Sequence, residues 1–264
     1  MKLLSKRSLS FLLVVFLLCT LIISCDKDNP AEPKPEEDSY LWIHFKSDST
    51  KIEFEALPKI DADGEEAIQL SSFIDTTLVA IFRDKNGNPY DARKLYAYQV
   101  KGEDGFSASS KGYLNNTWEQ LSLGHIITAT RQVVFPDDKI DLAGAYNVKS
   151  TLHIFLHRKF DIITPDTTTF VELRALNQTS ITNLDGQMEN ALVLKDFVTT
   201  LVTAPESRTF NMRSLDDFGP SSDMTWEQFQ TGYWLMSSES TMFTDPAFNS
   251  GRYKVKVLEK ILVN

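Results

Sequence analysis

Residues 117–125 read TWEQLSLGH and residues 225–233 read TWEQFQTGY, so one motif occurs twice in the chain. Further matches follow on both sides of the motif, in the same order and at nearly the same spacing. Phe135–Asp137 matches Phe243–Asp245, Tyr146–Lys149 matches Tyr253–Lys256, and upstream Asp63-Gly64 matches Asp185-Gly186. Because a colinear series of matches does not arise by chance, the sequence indicates an internal duplication.

The duplication divides the chain into two similar units, residues 40–157 and 158–264, preceded by residues 1–24 and 25–39 of different composition. The first unit is the longer one, with extra residues in 82–94 and 107–116. These insertions contain Tyr90, Tyr113 and Asn115, and loops on a rigid scaffold commonly bind ligands. We therefore expect these three residues to contribute to a binding site. The alternative is that the insertions are tolerated surface loops.

Short segments of alternating apolar residues predict β-strands in both units. In Tyr40–Phe45 every second residue is apolar, and Val148–His157 and Tyr253–Val263 end the two units with the same alternation. The sequence has no long stretch with the apolar spacing of an amphipathic helix. Hydrophobic residues make up 42% of the chain, which is enough for a globular core. We predict a mostly β fold of two tandem, similar β-sandwich (Ig-like) units.

Each repeated motif also has the features of a short helix. Thr117 and Thr225 suit the N-cap, with a Gln three residues later as in a capping box. The motif predicts helices over 118–123 and 226–231, followed by glycines at positions 124 and 232 that suit a left-handed C′ residue. Trp118 and Trp226 then pack each helix onto its sandwich, or alternatively stack on a ligand.

The N-terminus has the order of a secretory signal. Lys2, Lys6 and Arg7 precede an apolar run that ends in Ile22-Ile23-Ser24-Cys25. This ending resembles the bacterial lipobox, in which the cysteine is acylated and becomes the first residue. The resemblance implies lipidation of Cys25 and anchoring in a membrane. Since Cys19 leaves with the signal peptide, the mature chain then holds no free thiol, disulfide or cysteine metal site.

Residues 26–39, DKDNPAEPKPEEDS, contain acids and prolines and cannot bury a core, so they predict an extended tether. An acidic stretch directly after a lipidated cysteine resembles the export signal of Bacteroides-type surface lipoproteins. The resemblance implies the outer membrane and a position facing the cell exterior. A formal net charge of −9 argues against a nucleic-acid partner, which requires a basic surface.

No catalytic, cofactor or metal motif stands out in the sequence. His153 and His157 would lie about 13 Å apart in a strand, too far to share one ion. No phosphate loop, dinucleotide glycine pattern or catalytic triad motif is present, so we expect no cofactor. Ser49, Thr76 and Thr167 follow aspartates in a pattern that resembles the O-glycosylation sites of exported Bacteroides-type proteins.

These features favour a non-catalytic surface lipoprotein with a binding or assembly role. Its partners would be a glycan or an outer-membrane protein complex. The alternative is an extracellular hydrolase of polymers, with carboxylates such as Asp104 and Glu119 in one cleft. Such an enzyme needs two facing carboxyl groups about 5–10 Å apart, which separates the two hypotheses.

Overall fold

The computed structural model describes residues 40–76, 87, 89–249 and 251–264, and these residues form a mostly β structure, as predicted. The predicted signal peptide, Cys25 and the acidic tether lie outside the described residues, as do residues 82–86 and 88 of the predicted insertion at 82–94. Residues 40–264 make up a single compact unit.

Sixteen strands and two short α-helices are found in the described residues. The strands up to residue 163 are β1 Tyr40–Phe45, β2 Asp48–Glu53, β3 Ile60–Ala62, β4 Glu65–Gln69, β5 Tyr96–Gly102, β6 His125–Ile127, β7 Gln132–Val134 and β8 Thr151–Ile163. The later strands are β9 Thr168–Glu172, β10 Gln178–Thr182, β11 Met188–Val193, β12 Thr209–Ser214, β13 Met224–Thr225, β14 Gly232–Leu235, β15 Ser240–Phe243 and β16 Leu258–Val263. The helices are α1 Trp118–Leu121 and α2 Trp226–Phe229.

Short 3-10 helices connect many of these strands. They are Phe54–Ala56, Leu70–Phe73, Ala92–Leu95, Ala108–Lys111, Gly144–Tyr146, Leu173–Ala175, Leu194–Phe197, Pro205–Ser207, Pro246–Phe248 and Gly251–Tyr253.

The strand pairing repeats along the chain. In the first half (residues 40–157), β1 pairs antiparallel with β2 and parallel with β8, and β5 pairs antiparallel with β8. In the second half (residues 158–264), β8 pairs antiparallel with β9 and parallel with β16, and β12 pairs antiparallel with β16. Within the described residues, these strands and β13 form an eight-stranded sheet. Two four-stranded antiparallel sheets accompany it, β3-β4-β6-β7 and β10-β11-β14-β15.

Strand β8 belongs to both halves. Residues 153–156 pair with β1, and residues 159–163 pair with β9. The predicted unit boundary at 157/158 therefore lies inside a continuous strand, and the predicted end of that strand at His157 is wrong. The apolar alternation of Ile154 and Leu156 resumes at Phe160 and Ile162, whose side chains are buried. Arg158 takes the one position of this alternation that is not apolar.

The two large hydrophobic cores of the described residues are separated along the sequence, and a third, small cluster contains Ala191, Leu235 and Met242. One large cluster of buried residues runs from Leu41 to Leu156, and the other runs from Phe160 to Val263. Each large cluster takes residues from the large sheet and from one of the small sheets, as in a sandwich. Trp118 belongs to the first cluster, and Trp226 packs against the second.

Both short helices begin at the predicted residue and have the predicted capping box. The Thr117 amide donates to Gln120 Oε1 over 2.9 Å, and the Thr225 amide donates to Gln228 Oε1 over the same distance. The prediction of left-handed glycines after the helices is wrong, because neither Gly124 nor Gly232 has a positive φ. Instead, both glycines lie directly against core side chains.

Candidate functional site

A cavity of about 470 Å³ opens in the region where the two halves meet, and we call it the junction cavity. Strand β1 ends at Phe45 and β9 ends at Glu172, so that residues 157 and 158 of β8 pair with neither strand. The cavity lies at this gap. Its walls are mainly apolar and aromatic and include Phe45, Tyr96, Phe155, Leu173, Trp234 and Met236.

Arg158 lies buried beside the junction cavity and connects the two halves. Its guanidinium donates to the carbonyl oxygens of Leu95 in the first half and Leu258 in the second. The guanidinium carbon also lies 4.4 Å from the ring centroid of Phe160. These contacts hold the guanidinium at the junction. Burial there lowers the pKa of Arg158, and the negative charge of the Glu239 carboxylate acts in the opposite direction.

Three polar atoms around the cavity are buried without a hydrogen-bond partner among the described residues. They are Arg158 Nε, Glu239 Oε2 and Trp234 Nε1. Arg158 Nε and Glu239 Oε2 face each other at 3.6 Å, which is an ion-pair distance but is too long for a hydrogen bond. Buried polar atoms are nearly always hydrogen-bonded, so these three atoms are an exception. The two nitrogens can still donate a hydrogen bond, and the carboxylate oxygen can still accept one.

Tyr96 adds a neutral phenol to the cavity wall. Burial raises the pKa of Tyr96 to about 12; the positive charge of Arg158 lowers it and the negative charge of Glu239 raises it. The ring packs edge-on against Phe45, with centroids 5.2 Å apart. The phenol therefore stays protonated at neutral pH.

A row of stacked rings borders the junction cavity on the outer face of β1 and β8. His44 lies parallel to Phe155, with ring centroids 4.2 Å apart, and Phe155 in turn stacks on His157 at 6.2 Å. His44 Nε2 lies 2.9 Å from His153 Nδ1. Burial lowers the pKa of all three histidines, so they are neutral at pH 7.

The structure brings together Tyr113 and Asn115, two of the residues that the sequence singled out. Both line a second cavity of about 410 Å³, together with Asp161 and Phe170 of the second half. Tyr113 is 45% exposed, whereas Asn115 is buried and donates from Nδ2 to Glu172 Oε1 over 2.6 Å. Part of the insertion at 107–116 thus contacts the second half.

The other proposed binding residues, Tyr90, Trp118 and Trp226, are not among the residues that line these two cavities. Trp118 is buried under the guanidinium of Arg93, whose central carbon is 4.2 Å from the ring centroid. The Trp226 ring centroid lies 5.5 Å from that of Phe210. Tyr90 is half-buried and is not among the residues that line either cavity.

All three proposed O-glycosylation residues, Ser49, Thr76 and Thr167, are exposed. Asp104 accepts a hydrogen bond from the Phe106 amide at 2.9 Å in its own turn, and Glu119 is exposed in the first turn of α1. Across the described ranges, no group of three or more His, Cys, Asp or Glu residues is arranged to hold a metal ion.

Sequence reasoning did not identify the principal residues of the junction cavity, which are Tyr96, Arg158, Trp234 and Glu239. One signal was present in the sequence. Arg158 and Lys159 lie side by side between the apolar residues of Phe155–Ile163, and a cation inside a strand that is otherwise buried points to a special environment. The cavity itself depends on where β1 and β9 end, which local sequence patterns do not specify.

In the part of the chain that the structure describes, no helix has the length and apolar character required to cross a membrane. Comparisons of the chain with protein-family models, with curated proteins and with solved structures find no match.

Proposed function

We propose that the protein is a lipoprotein of the outer membrane, anchored through Cys25, that faces the cell exterior and binds a ligand without catalysing a reaction. Its body consists of two tandem β-sandwich (Ig-like) repeats that share strand β8. The repeated strand pairing and the two separate cores support this description. The junction cavity is the proposed binding site.

The anchor is supported by the sequence Ile22-Ile23-Ser24-Cys25 after an apolar run. Mass spectrometry of the mature N-terminal peptide tests it, with an acylated Cys25 as the expected result. Cys25→Ala should leave the protein unprocessed or release it from the membrane, whereas the matched variant Cys19→Ala should be anchored normally. An unmodified Cys25 in membrane-bound protein would contradict the proposal.

The binding role is supported above all by the buried polar atoms beside an aromatic cavity that have no hydrogen-bond partner among the described residues. Arg158 Nε and Trp234 Nε1 can donate a hydrogen bond, and Glu239 Oε2 can accept one. A glycan fits these demands, because its hydroxyl groups donate and accept while its C–H faces pack on aromatic rings. We therefore propose a glycan as the ligand. An outer-membrane protein complex is the alternative partner.

The cavity supports binding better than hydrolysis. Glu239 is the one carboxylate among the described residues that line it, and this group faces the Arg158 cation. A glycosidase requires a second carboxyl group about 5–10 Å away. Asp104 and Glu119, the carboxylates of the hydrolase hypothesis, do not line the junction cavity.

A glycan array probed with the full chain tests the proposal. Met236 is half-buried in the cavity wall, so Met236→Arg should block the cavity and abolish glycan capture. Leu114→Arg is the matched control, since Leu114 is 50% exposed and lines the second cavity instead. Loss of capture in the control alone would move the site to the second cavity. Release of shorter sugars from a captured glycan would favour the hydrolase.

A further inference from the structure

We propose that His44 and His153 form a two-histidine site for a divalent transition-metal ion, with Cu²⁺ as the preferred ion. The two side chains come from neighbouring parallel strands, β1 and β8. His44 Nε2 and His153 Nδ1 approach to 2.9 Å. This inference rests on the histidine pair alone and does not depend on the proposed glycan site.

The separation of the two nitrogens matches that of two ligands on one ion. With metal–nitrogen bonds of about 2.0–2.1 Å, two nitrogens at a right angle lie about 2.9 Å apart, and in a tetrahedron about 3.3 Å apart. The observed 2.9 Å fits the right-angle arrangement. Square-planar and tetragonal sites with nitrogen and oxygen ligands are typical of Cu²⁺ and Ni²⁺. Water would occupy the remaining positions.

The surroundings of His44 hold its ring in the orientation that a ligand needs. His44 Nδ1 lies 2.8 Å from Ser49 Oγ, and the ring stacks on Phe155 with an interplanar angle of 11°. Metal-binding histidines almost always donate their second ring N–H to such a partner, which fixes the tautomer. With Nδ1–H donating to Ser49, the Nε2 lone pair of His44 points toward His153, where it accepts the Nδ1–H of His153 in the ion-free protein. Binding of an ion requires that proton to move to Nε2 of His153.

One charged neighbour of the histidine pair affects the binding of a cation. Lys101, which lies opposite His153 in β5, is an unfavourable neighbour for a bound cation. The expected affinity is therefore modest.

His157 provides a matched control on the same strand face. Its ring centroid lies 6.2 Å from that of Phe155, and its Nε2 lies 3.3 Å from Gln99 Oε1. His153 and His157 are four residues apart in one strand, which is too far for them to share an ion. The neighbour of His153 in the structure is His44 on β1. A Gln substitution at position 157 therefore removes an imidazole without removing either proposed ligand.

Isothermal titration of the full chain in detergent with CuCl₂ tests the proposal, with wild type compared to His44→Gln, His153→Gln and His157→Gln. Copper that binds elsewhere on the chain is common to all four proteins and cancels. We expect one equivalent of Cu²⁺ to be lost, or weakened more than about tenfold, in the first two variants and retained in the third. Electron paramagnetic resonance should show two nitrogen ligands in the wild type.

Two outcomes would overturn the proposal. One is equal Cu²⁺ binding by all four proteins, which would mean that the 2.9 Å contact is a simple N–H···N hydrogen bond. The other is an equal loss in His157→Gln, which would place the ion elsewhere on the face. Circular dichroism of each variant checks that it is folded, and His44→Gln and His153→Gln provide independent readings of the same site.

Discussion

A Cβ atom on Gly232 would lie 2.6 Å from Cε1 of Phe243, closer than packed carbon atoms approach. The equivalent relationship occurs in the first half, where a Cβ atom on Gly124 would lie 2.6 Å from Cε1 of Phe135. These glycines follow the two TWEQ helices and allow a core phenylalanine to pack directly on the backbone. Room for a ring, rather than a left-handed backbone, explains why the motif keeps glycine at this position in both copies.

Gly232→Ala should therefore destabilise the protein by overpacking. The added methyl group has no space, and overpacking of this kind costs about 1–3 kcal/mol. Gly144→Ala is the matched control, because a Cβ atom there meets no atom within 4 Å and its φ is not positive. Urea denaturation of both variants gives the measurement. An unchanged midpoint for Gly232→Ala would show that the Phe243 ring moves aside without cost.

The capping boxes should contribute to stability in the same way in both halves. In the first, Thr117 Oγ1 accepts from the Gln120 amide at 3.3 Å. Thr117→Ala leaves that amide without its partner, which should lower the free energy of unfolding by about 1 kcal/mol. Thr203→Ala, at an exposed threonine outside both helices, provides the comparison. Equal thermal midpoints for the two variants would contradict a capping role.

Much of the fold could be predicted because its signals are local. The capping box needs only a Thr and a Gln three residues apart, and the alternation in Tyr40–Phe45 marks its buried face directly. The junction was missed because its cause is not local. Arg158 looks like the polar start of a new unit in the sequence, yet it is buried by residues as distant as Leu95 and Leu258.

The residues of the candidate sites could likewise be predicted only where a local sequence signal marks them. Tyr113 could be singled out because the first unit is longer there, and it does line a cavity. Trp234 and Glu239 could not, since nothing near them in the sequence marks the ends of β1 and β9 that leave the gap. The His44–His153 pair depends on parallel pairing of two strands far apart in the chain.

Stability should decrease in mild acid because of the histidine row. Burial lowers the pKa of His44, His153 and His157 below the unfolded value of about 6.5. At pH values near 6 the unfolded chain therefore binds more protons than the folded chain. The contribution of the three histidines to the free energy of unfolding is fully present above pH 6.5 and is lost as the pH falls through their folded pKa values. Urea denaturation at pH 7.5 and pH 5.0 measures the loss.

A triple variant with glutamine at all three positions isolates this effect. Asp161 and Glu259 act in the opposite direction, because burial raises the pKa of both carboxyl groups, but their contribution is common to both proteins. We expect the wild type to lose more stability than the triple variant between the two pH values. An equal loss in the two proteins would exclude the histidine row as the cause.

The two halves should unfold together because they share β8. Residues 151–158 of this strand pair with β5, and residues 159–163 pair with β9. Arg158 adds hydrogen bonds to a carbonyl of each half. An insertion of Gly-Ser-Gly-Ser between His157 and Arg158 breaks the strand at the junction. It should therefore split a single calorimetric unfolding transition into two, with lower midpoints.

The same insertion after Asp166, an exposed residue in the turn between β8 and β9, lengthens the turn only and should leave one transition. Two transitions in the unmodified protein would show instead that each core unfolds on its own, despite the shared strand.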